Sequence, residues 1–229
     1  MLHIGIVACS AEGAALCYKT ICIEGESTLG AHAHPEISLH SHSFGDYMRC
    51  IEHKDWQGVG ELMLSSAQKL ANIGADFLIC PDNTIHQSLP FIASKLPLPW
   101  LHIAEVVAQV AVQRGFRRVG LTGTRWLVDS NVYPEALRAG GLCCARPSVD
   151  ERDQVNGIIM NELVKGRFTA ESTNYLVRVI EGLKQQGSDA VVLGCTEIPL
   201  IINDGNSPLP TLDSTRLLAR AALERAAQG

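Results

Sequence analysis

Short apolar runs alternate along this chain with longer segments whose apolar residues recur every three to four positions. The runs predict strands at residues 2–8, 37–40, 76–80, 118–122 and 190–193, with a shorter one at 142–145. The periodic segments predict helices at 12–23, 56–72, 85–94, 103–113, 129–138, 152–165, 170–186 and 211–228, and a short helix from Glu197. Leu62, Ala67, Leu70 and Ile73 show the helical spacing most clearly. Residues 25–33 read as a loop and 204–208 as a turn, and Asp213 or Ser214 is the expected cap of the last helix. Alternation of this kind predicts an α/β fold with mainly parallel sheets and right-handed crossovers. Ligands of such sheets bind beyond the carboxyl ends of strands, where Cys9, Asp82, Thr124 and Cys195 fall.

The pattern repeats. Residues 74–86, starting Gly74-Ala75-Asp76, match residues 187–199, starting Gly187-Ser188-Asp189, at a constant offset of 113 (187 less 74). Each copy reads Gly-x-Asp, an apolar run, then a polar patch that opens a helix: Asp82-Asn83-Thr84 in one, Cys195-Thr196-Glu197 in the other. Residues 4–10 resemble 119–125 at an offset of 115 (119 less 4). Two pseudo-symmetric half-domains are therefore expected, with a site in the cleft between them and one reactive group from each. Leu96-Pro97-Leu98-Pro99 cannot continue a helix and is the expected hinge. That places the first half-domain at 1–97 plus 205–229 and the second at 98–204, with the closing helix returning to the first.

Composition narrows the function. A net charge of −5 in 229 residues offers no nucleic-acid surface. No apolar run is long enough to span a membrane, and no basic-then-apolar leader opens the chain, so a cytoplasmic location is expected. Hydrophobic residues make up 46% and aromatics only 5%, which predicts an aliphatic core. The eight cysteines form no Cys-x-x-Cys pair and are expected as reduced thiols, mostly buried. His32, His34, His40 and His42 make two His-x-His pairs without accompanying Cys or carboxylate ligands, so no metal is expected. Gly58-x-Gly60 lacks the third glycine of a dinucleotide fingerprint, and no Gly-x-Ser-x-Gly elbow occurs.

The segment from Leu193 to Ile198, Leu-Gly-Cys-Thr-Glu-Ile, resembles the second signature of the cofactor-independent aspartate/glutamate racemases. Pro81-Asp82-Asn83-Thr84-Ile85-His86 resembles their first signature, Cys-Asn-Thr-x-His. His34-Pro35, Gly123-Thr124-Arg125 and the run from Asp153 through Asn156, Ile158 and Ile159 to Lys165-Gly166 extend the resemblance, in order, over almost the whole chain. It implies an amino-acid or small-carboxylate substrate, no pyridoxal phosphate or other cofactor, and a homodimer. It also implies two acid/base groups flanking the substrate α-carbon, one removing the proton and the other replacing it from the opposite face. On this chain those groups are Asp82 and Cys195. Cys9, Ser10, Asn83, Thr84, Thr124 and Thr196 are the candidates to hold the α-carboxylate from two helix N-termini. Lys165 is the candidate for a distal carboxylate, with Arg49 behind it; each also reads as an ordinary surface residue.

Position 82 departs from the signature, because Asp stands where the resemblance implies Cys. Cys80 lies within the strand run and reads as core. Asp82 also reads as a helix N-cap, Asn83 and Thr84 as turn residues, Glu197 as a supporting first-turn residue, and His86 as a capping or packing group. Reference pKa values of Asp and Cys differ by about 4.6, which separates Asp82 carboxylate with Cys195 thiol from the proton-swapped pair by ~6 kcal/mol. A racemase uses both forms in turn. Racemisation between Asp82 and Cys195 is the leading expectation. A decarboxylase-like lyase using the single thiol, or a non-catalytic binder of small carboxylates, is the alternative.

Overall fold

The computed structural model describes residues 1–229 and divides into two units, Met1–Val106 with Thr215–Gly229, and Val107–Ser214. In the first unit the order is β1 (Ile4–Ala8), α1 (Ala11–Leu29), β2 (Ile37–Ser41), α2 (Phe44–Glu52), α3 (Trp56–Asn72), β3 (Phe77–Ile79), α4 (Leu89–Ile92) and β4 (Trp100–Leu101). Helix α5 (Ile103–Gln113) crosses the boundary. The second unit holds β5 (Arg118–Thr122), α6 (Arg125–Val128), α7 (Val132–Ala139), β6 (Cys143–Ala145), α8 (Val149–Asn161), α9 (Ala170–Gln185), β7 (Ala190–Leu193) and β8 (Thr211–Asp213). Helix α10 (Ser214–Gln228) ends the chain.

Each unit is built on a four-stranded parallel sheet, ordered β2-β1-β3-β4 in one and β6-β5-β7-β8 in the other. The two orders correspond strand for strand, as the internal repeat requires. The central strands β1, β3 and β7 are buried at every position, as is β5 beyond Arg118. Continuous burial is what a parallel strand covered on both faces demands, and it explains their unbroken apolar runs. The Gly-x-Asp motif does the same task twice. Asp76 accepts the His3 N–H at 2.7 Å, while Asp189 accepts those of Arg117 at 2.7 Å and Arg118 at 3.2 Å. Each aspartate thereby pins the start of the neighbouring central strand.

Helix α10 belongs almost wholly to the first unit. Leu2 N–H donates to Ala226 O at 3.0 Å, and Arg220 grips Glu24 through two bonds of 2.7 and 2.8 Å. The Arg225 guanidinium lies 4.7 Å from the Phe77 ring centroid. In the second unit Ile159, Leu176, Ile180, Leu183, Val191 and Ile198 form one fully buried cluster.

Several sequence expectations change. The proline segment is not the hinge. Pro99 O accepts from Leu78 N at 2.9 Å and leads directly into β4, which pairs with β3. Residues 98–106 therefore stay with the first unit, and the boundary falls inside α5 rather than at 97/98. Likewise 205–214 stay with the second unit, because residues 211–213 form β8 beside β7 instead of opening the last helix. Helix α1 continues through the expected loop to Leu29, since Gly25 marks a close approach to Ala33 and His34 rather than a break. The helix expected at 85–94 is a 3-10 turn, Thr84–Ser88, followed by the short α4 and a second 3-10 turn. The helix expected at 129–138 is α7, Val132–Ala139, preceded by the separate short helix α6, and the 152–165 helix ends at Asn161 before a 3-10 turn. Past Glu197 there is a single 3-10 turn, Ile198–Leu200. Helix α2 was not expected at all.

Candidate active site

In the first unit, the turns leaving β1 and β3 meet. Ser10 is the N-cap of α1, and its hydroxyl accepts from Gly13 N at 3.2 Å. The Asp82 carboxylate reaches the turn that leaves β1. Its Oδ2 accepts the backbone N–H groups of Cys9 at 3.2 Å and Ser10 at 3.1 Å. Two N–H donors aimed at one oxygen stabilise the charged carboxylate. Asn83 is buried and Thr84 half-buried on the following 3-10 turn.

The backbone beneath Asp82 is fixed by His86. Trp100 Nε1–H donates to His86 Nε2 at 3.4 Å, which leaves the ring proton on Nδ1, donated to the Asp82 carbonyl at 2.9 Å. Burial, then the neighbouring His102, holds the His86 imidazole well below its usual pKa, so it is neutral. His86 is thus a strut for residue 82. Cys80 is fully buried, and burial followed by the Asp82 carboxylate pushes its thiol well above the ordinary range. Cys17, also fully buried, is raised by the same two causes. Both remain protonated core thiols.

In the second unit, the turns leaving β5 and β7 pack tightly. Gly194 N–H donates to Thr122 O at 2.9 Å, and a Cβ on Gly194 would stand 2.6 Å from that oxygen. Only glycine admits this approach. Thr124 caps α6 through its hydroxyl, which accepts from Leu127 N at 3.4 Å. The Asn156 carboxamide accepts Arg125 N–H at 3.1 Å, and Asp153 lies 3.7 Å from the Arg125 guanidinium, so α8 braces the same turn. Past Gly194, the Cys195 thiol donates to Glu197 Oε2 at 2.8 Å, and the Thr196 hydroxyl donates to the same oxygen at 2.8 Å. All three residues are buried. Glu197 is therefore the direct partner of the thiol, a closer role than a first-turn residue favoured by a helix dipole. The sequence signal for it is the spacing Cys-x-Glu in a strand-to-helix turn.

Each half thus collects its own candidates: Cys9, Ser10 and Asp82 in one, Cys195 and Thr196 with Glu197 in the other. Lys165 ends the 3-10 turn after α8, exposed and without an ion pair. Arg49 is paired with Asp46 on the outer face of α2. His40 and His42 bond Ser66 and Ser65 of α3. No group of three or more His, Cys, Asp or Glu side chains is arranged to hold a metal ion, and no helix is long and apolar enough to cross a membrane.

Comparison with known proteins agrees with this architecture. A crystal structure from Yersinia pestis, described as a candidate Asp/Glu racemase, superposes with a TM-score of 0.90 at 31% identity, covering 99% of each chain. PH1733 from Pyrococcus horikoshii OT3, described as an aspartate racemase homologue, gives 0.86 at 28% identity over 99% of this chain and 100% of that one. The broad specificity amino-acid racemase RacX of Bacillus subtilis strain 168 is 25% identical over 179 residues, 76% of this chain and 74% of that protein. The family model for Asp/Glu/hydantoin racemases matches residues 13–222. With its two matching parallel sheets and a polar turn at the end of each central strand, the chain belongs to the Asp/Glu/hydantoin racemase family, and its general chemistry is that of a racemase.

Proposed function

We propose that this protein is a cofactor-independent amino-acid racemase or epimerase of the aspartate/glutamate type. Asp82 acts on one face of the α-carbon and Cys195 on the other. The observation that carries the reading is the pair of opposed chemistries at equivalent strand ends. A carboxylate held as an anion by two N–H groups is a base, and a thiol hydrogen-bonded to a buried carboxylate is an acid. Asp82 takes the α-proton of the first enantiomer as the Cys195 thiol delivers its proton to the carbanion. Reverse turnover uses the same groups in exchanged roles.

Ser10, Asn83, Thr84, Thr124 and Thr196, with the Cys9 backbone, hold the substrate α-carboxylate, and Lys165 meets a distal carboxylate. A homodimer, a cytoplasmic location and independence from pyridoxal phosphate belong to the same proposal and rest on the family resemblance. The test follows solvent deuterium into the α-position of L- and D-aspartate and L- and D-glutamate. Incorporation into both enantiomers, abolished by Cys195→Ala, supports the reading. Absence of exchange with every acidic amino acid sinks it.

A further inference from the structure

In the second unit, α8, α9 and the loop joining them line a cavity of about 400 Å³, a volume within the range of small-molecule sites. None of the candidate acid, base or carboxylate-holding residues lines it. The loop is folded back on itself. Gly166 has φ +70°, which glycine adopts without steric cost, and Arg167 N–H donates to Glu162 O at 3.0 Å. The Arg167 guanidinium reaches further back and donates to the Asn161 carbonyl. In the other direction, the Glu162 carboxylate accepts the Ser172 hydroxyl at 2.5 Å and the Thr169 hydroxyl at 3.4 Å. On α9, the Arg178 guanidinium lies 5.4 Å from the Tyr175 ring centroid.

Charges of both signs line this one cavity, Arg167 and Arg178 with Glu162 and Glu171. Neither arginine is ion-paired with either glutamate. Three of the four are held instead by uncharged neighbours: a carbonyl for Arg167, a phenol ring for Arg178 and two hydroxyls for Glu162. Opposite charges are thus kept apart on one concave surface. Two positive and two negative groups leave the lining without net charge. A pure anion would meet the glutamates, and a pure cation would meet the arginines. A small ligand carrying one charge of each sign satisfies both. The planar guanidinium donors suit a carboxylate, and a glutamate suits an ammonium. Buried Ile158 and half-buried Tyr175 add apolar wall for the rest of such a ligand.

We propose that the α8–α9 cavity is a second ligand site, which binds a free α-amino acid as its zwitterion. The α-carboxylate is taken by Arg167 and Arg178, and the α-ammonium by Glu162. The loop bonds that hold Arg167 and Glu162 in place exist before the ligand arrives, so little ordering is left for binding to impose. Occupancy of this cavity involves no turnover. The proposal therefore stands or falls independently of the roles of Asp82 and Cys195.

The test is a nuclear magnetic resonance titration of the full-length ¹⁵N-labelled chain, read at the backbone amides and the arginine Nε–H groups. L-Glutamine is the probe, because its side chain adds no third charge. Glutaramate is the same molecule without the ammonium, and 4-aminobutanamide is the same molecule without the carboxylate. L-Glutamine is expected to give saturable shifts at Arg167, Tyr175 and Arg178. Each truncated probe is expected to bind at least about tenfold more weakly, the loss of one charged contact. Arg178→Ala should abolish the cavity shifts while the rest of the spectrum keeps its positions. Glu162→Gln retains an acceptor oxygen for Ser172 and Thr169 and should reduce L-glutamine to the affinity of glutaramate. Glutaramate binding as tightly as L-glutamine would reveal an anion site and overturn the proposal. Equal binding of 4-aminobutanamide would reveal a cation site and do the same. So would the absence of saturable shifts at the cavity, or shifts that persist unchanged in both folded variants.

Discussion

Residues 82 and 195 occupy the same slot of the internal repeat, yet the two halves solve the slot differently. In the first unit the strand-end residue is a carboxylate, and its partners are backbone N–H groups of the adjoining turn. In the second it is a thiol, and its partner is a carboxylate two residues downstream. The N–H groups stabilise negative charge at 82. A charged Glu197 opposes negative charge on the Cys195 sulfur. The scaffold therefore favours one resting state, carboxylate in the first half and thiol in the second. As the proposed base and acid, Asp82 and Cys195 would start from a fixed polarity, at the cost of an uphill proton-swapped form, ~6 kcal/mol by reference values alone.

The largest effects expected are those that delete one member of the pair. Cys195→Ala removes the proposed acid, and α-proton exchange and racemisation should drop by about 10²–10⁴-fold, the range a positioned general acid supplies. Asp82→Asn keeps the shape and an acceptor oxygen for the two N–H groups but removes the proposed base. Its loss should fall in the same range, about 10²–10⁴-fold, with the fold intact by circular dichroism. Equal activity in either variant and wild type breaks the comparison. Asp82→Cys sharpens it: two thiols have like reference pKa values, so the proton-swapped form comes within reach. If wild type racemises slowly, this variant should be faster in both directions. If it is slower, the asymmetry serves the reaction and is not a handicap to it.

The legible parts of this architecture were those with long-range repetition. β1, β3, β5 and β7 announce themselves because central parallel strands are apolar on both faces, and the Gly-x-Asp motif precedes two of them for the same structural reason. β4 and β8 escaped because they have two and three residues and follow prolines, which read as punctuation. They carry an echo of their own: Leu98-Pro99-Trp100-Leu101 repeats as Leu209-Pro210-Thr211-Leu212, and Pro99 O and Pro210 O each accept from the neighbouring central strand, at 2.9 and 3.0 Å. The candidate residues at strand ends were legible from the same repeat. The partner of each was not. That Asp82 reaches across to the start of α1 is a side-chain direction that neither spacing nor composition encodes, and the Cys-x-Glu spacing brings Glu197 near Cys195 without fixing that it folds back on the thiol.

A smaller effect is expected at Glu197. Glu197→Gln keeps the volume and one acceptor oxygen for Cys195 and Thr196 but removes the buried charge. Without that charge the thiolate is easier to form, so the proton-swapped state gains population. Activity should fall by roughly tenfold or less, because the acid itself remains, and thiol alkylation at neutral pH should accelerate. Unchanged alkylation would show that Glu197 only packs against Cys195. The asymmetry between the halves would then rest on Asp82 alone.

The smallest effect concerns stability, and it divides the two units by residue type. All eight histidines lie between positions 3 and 102, so the second unit contains none. His86 is buried, and burial and His102 depress its folded pKa well below the unfolded value; His102 is lowered by burial as well. A group with this shift contributes stability above its unfolded pKa, about 6.5, and loses it as pH falls, because only the unfolded chain then gains the proton. Each such histidine removes about 1.4 kcal/mol of stability per pH unit below that point. Protonation would also disturb the strut under Asp82, since an imidazolium has no acceptor for Trp100. Hydrogen exchange at pH 5.5 compared with pH 7.5 should therefore show protection lost first at the β1 and β3 amides, with β5 and β7 holding. His86→Gln should flatten the slope in the first unit even though it lowers stability at neutral pH. Equal acid sensitivity in both sheets would mean that the carboxylates spread through both units, and not the histidines beneath the first half-site, set the acid limit of this fold.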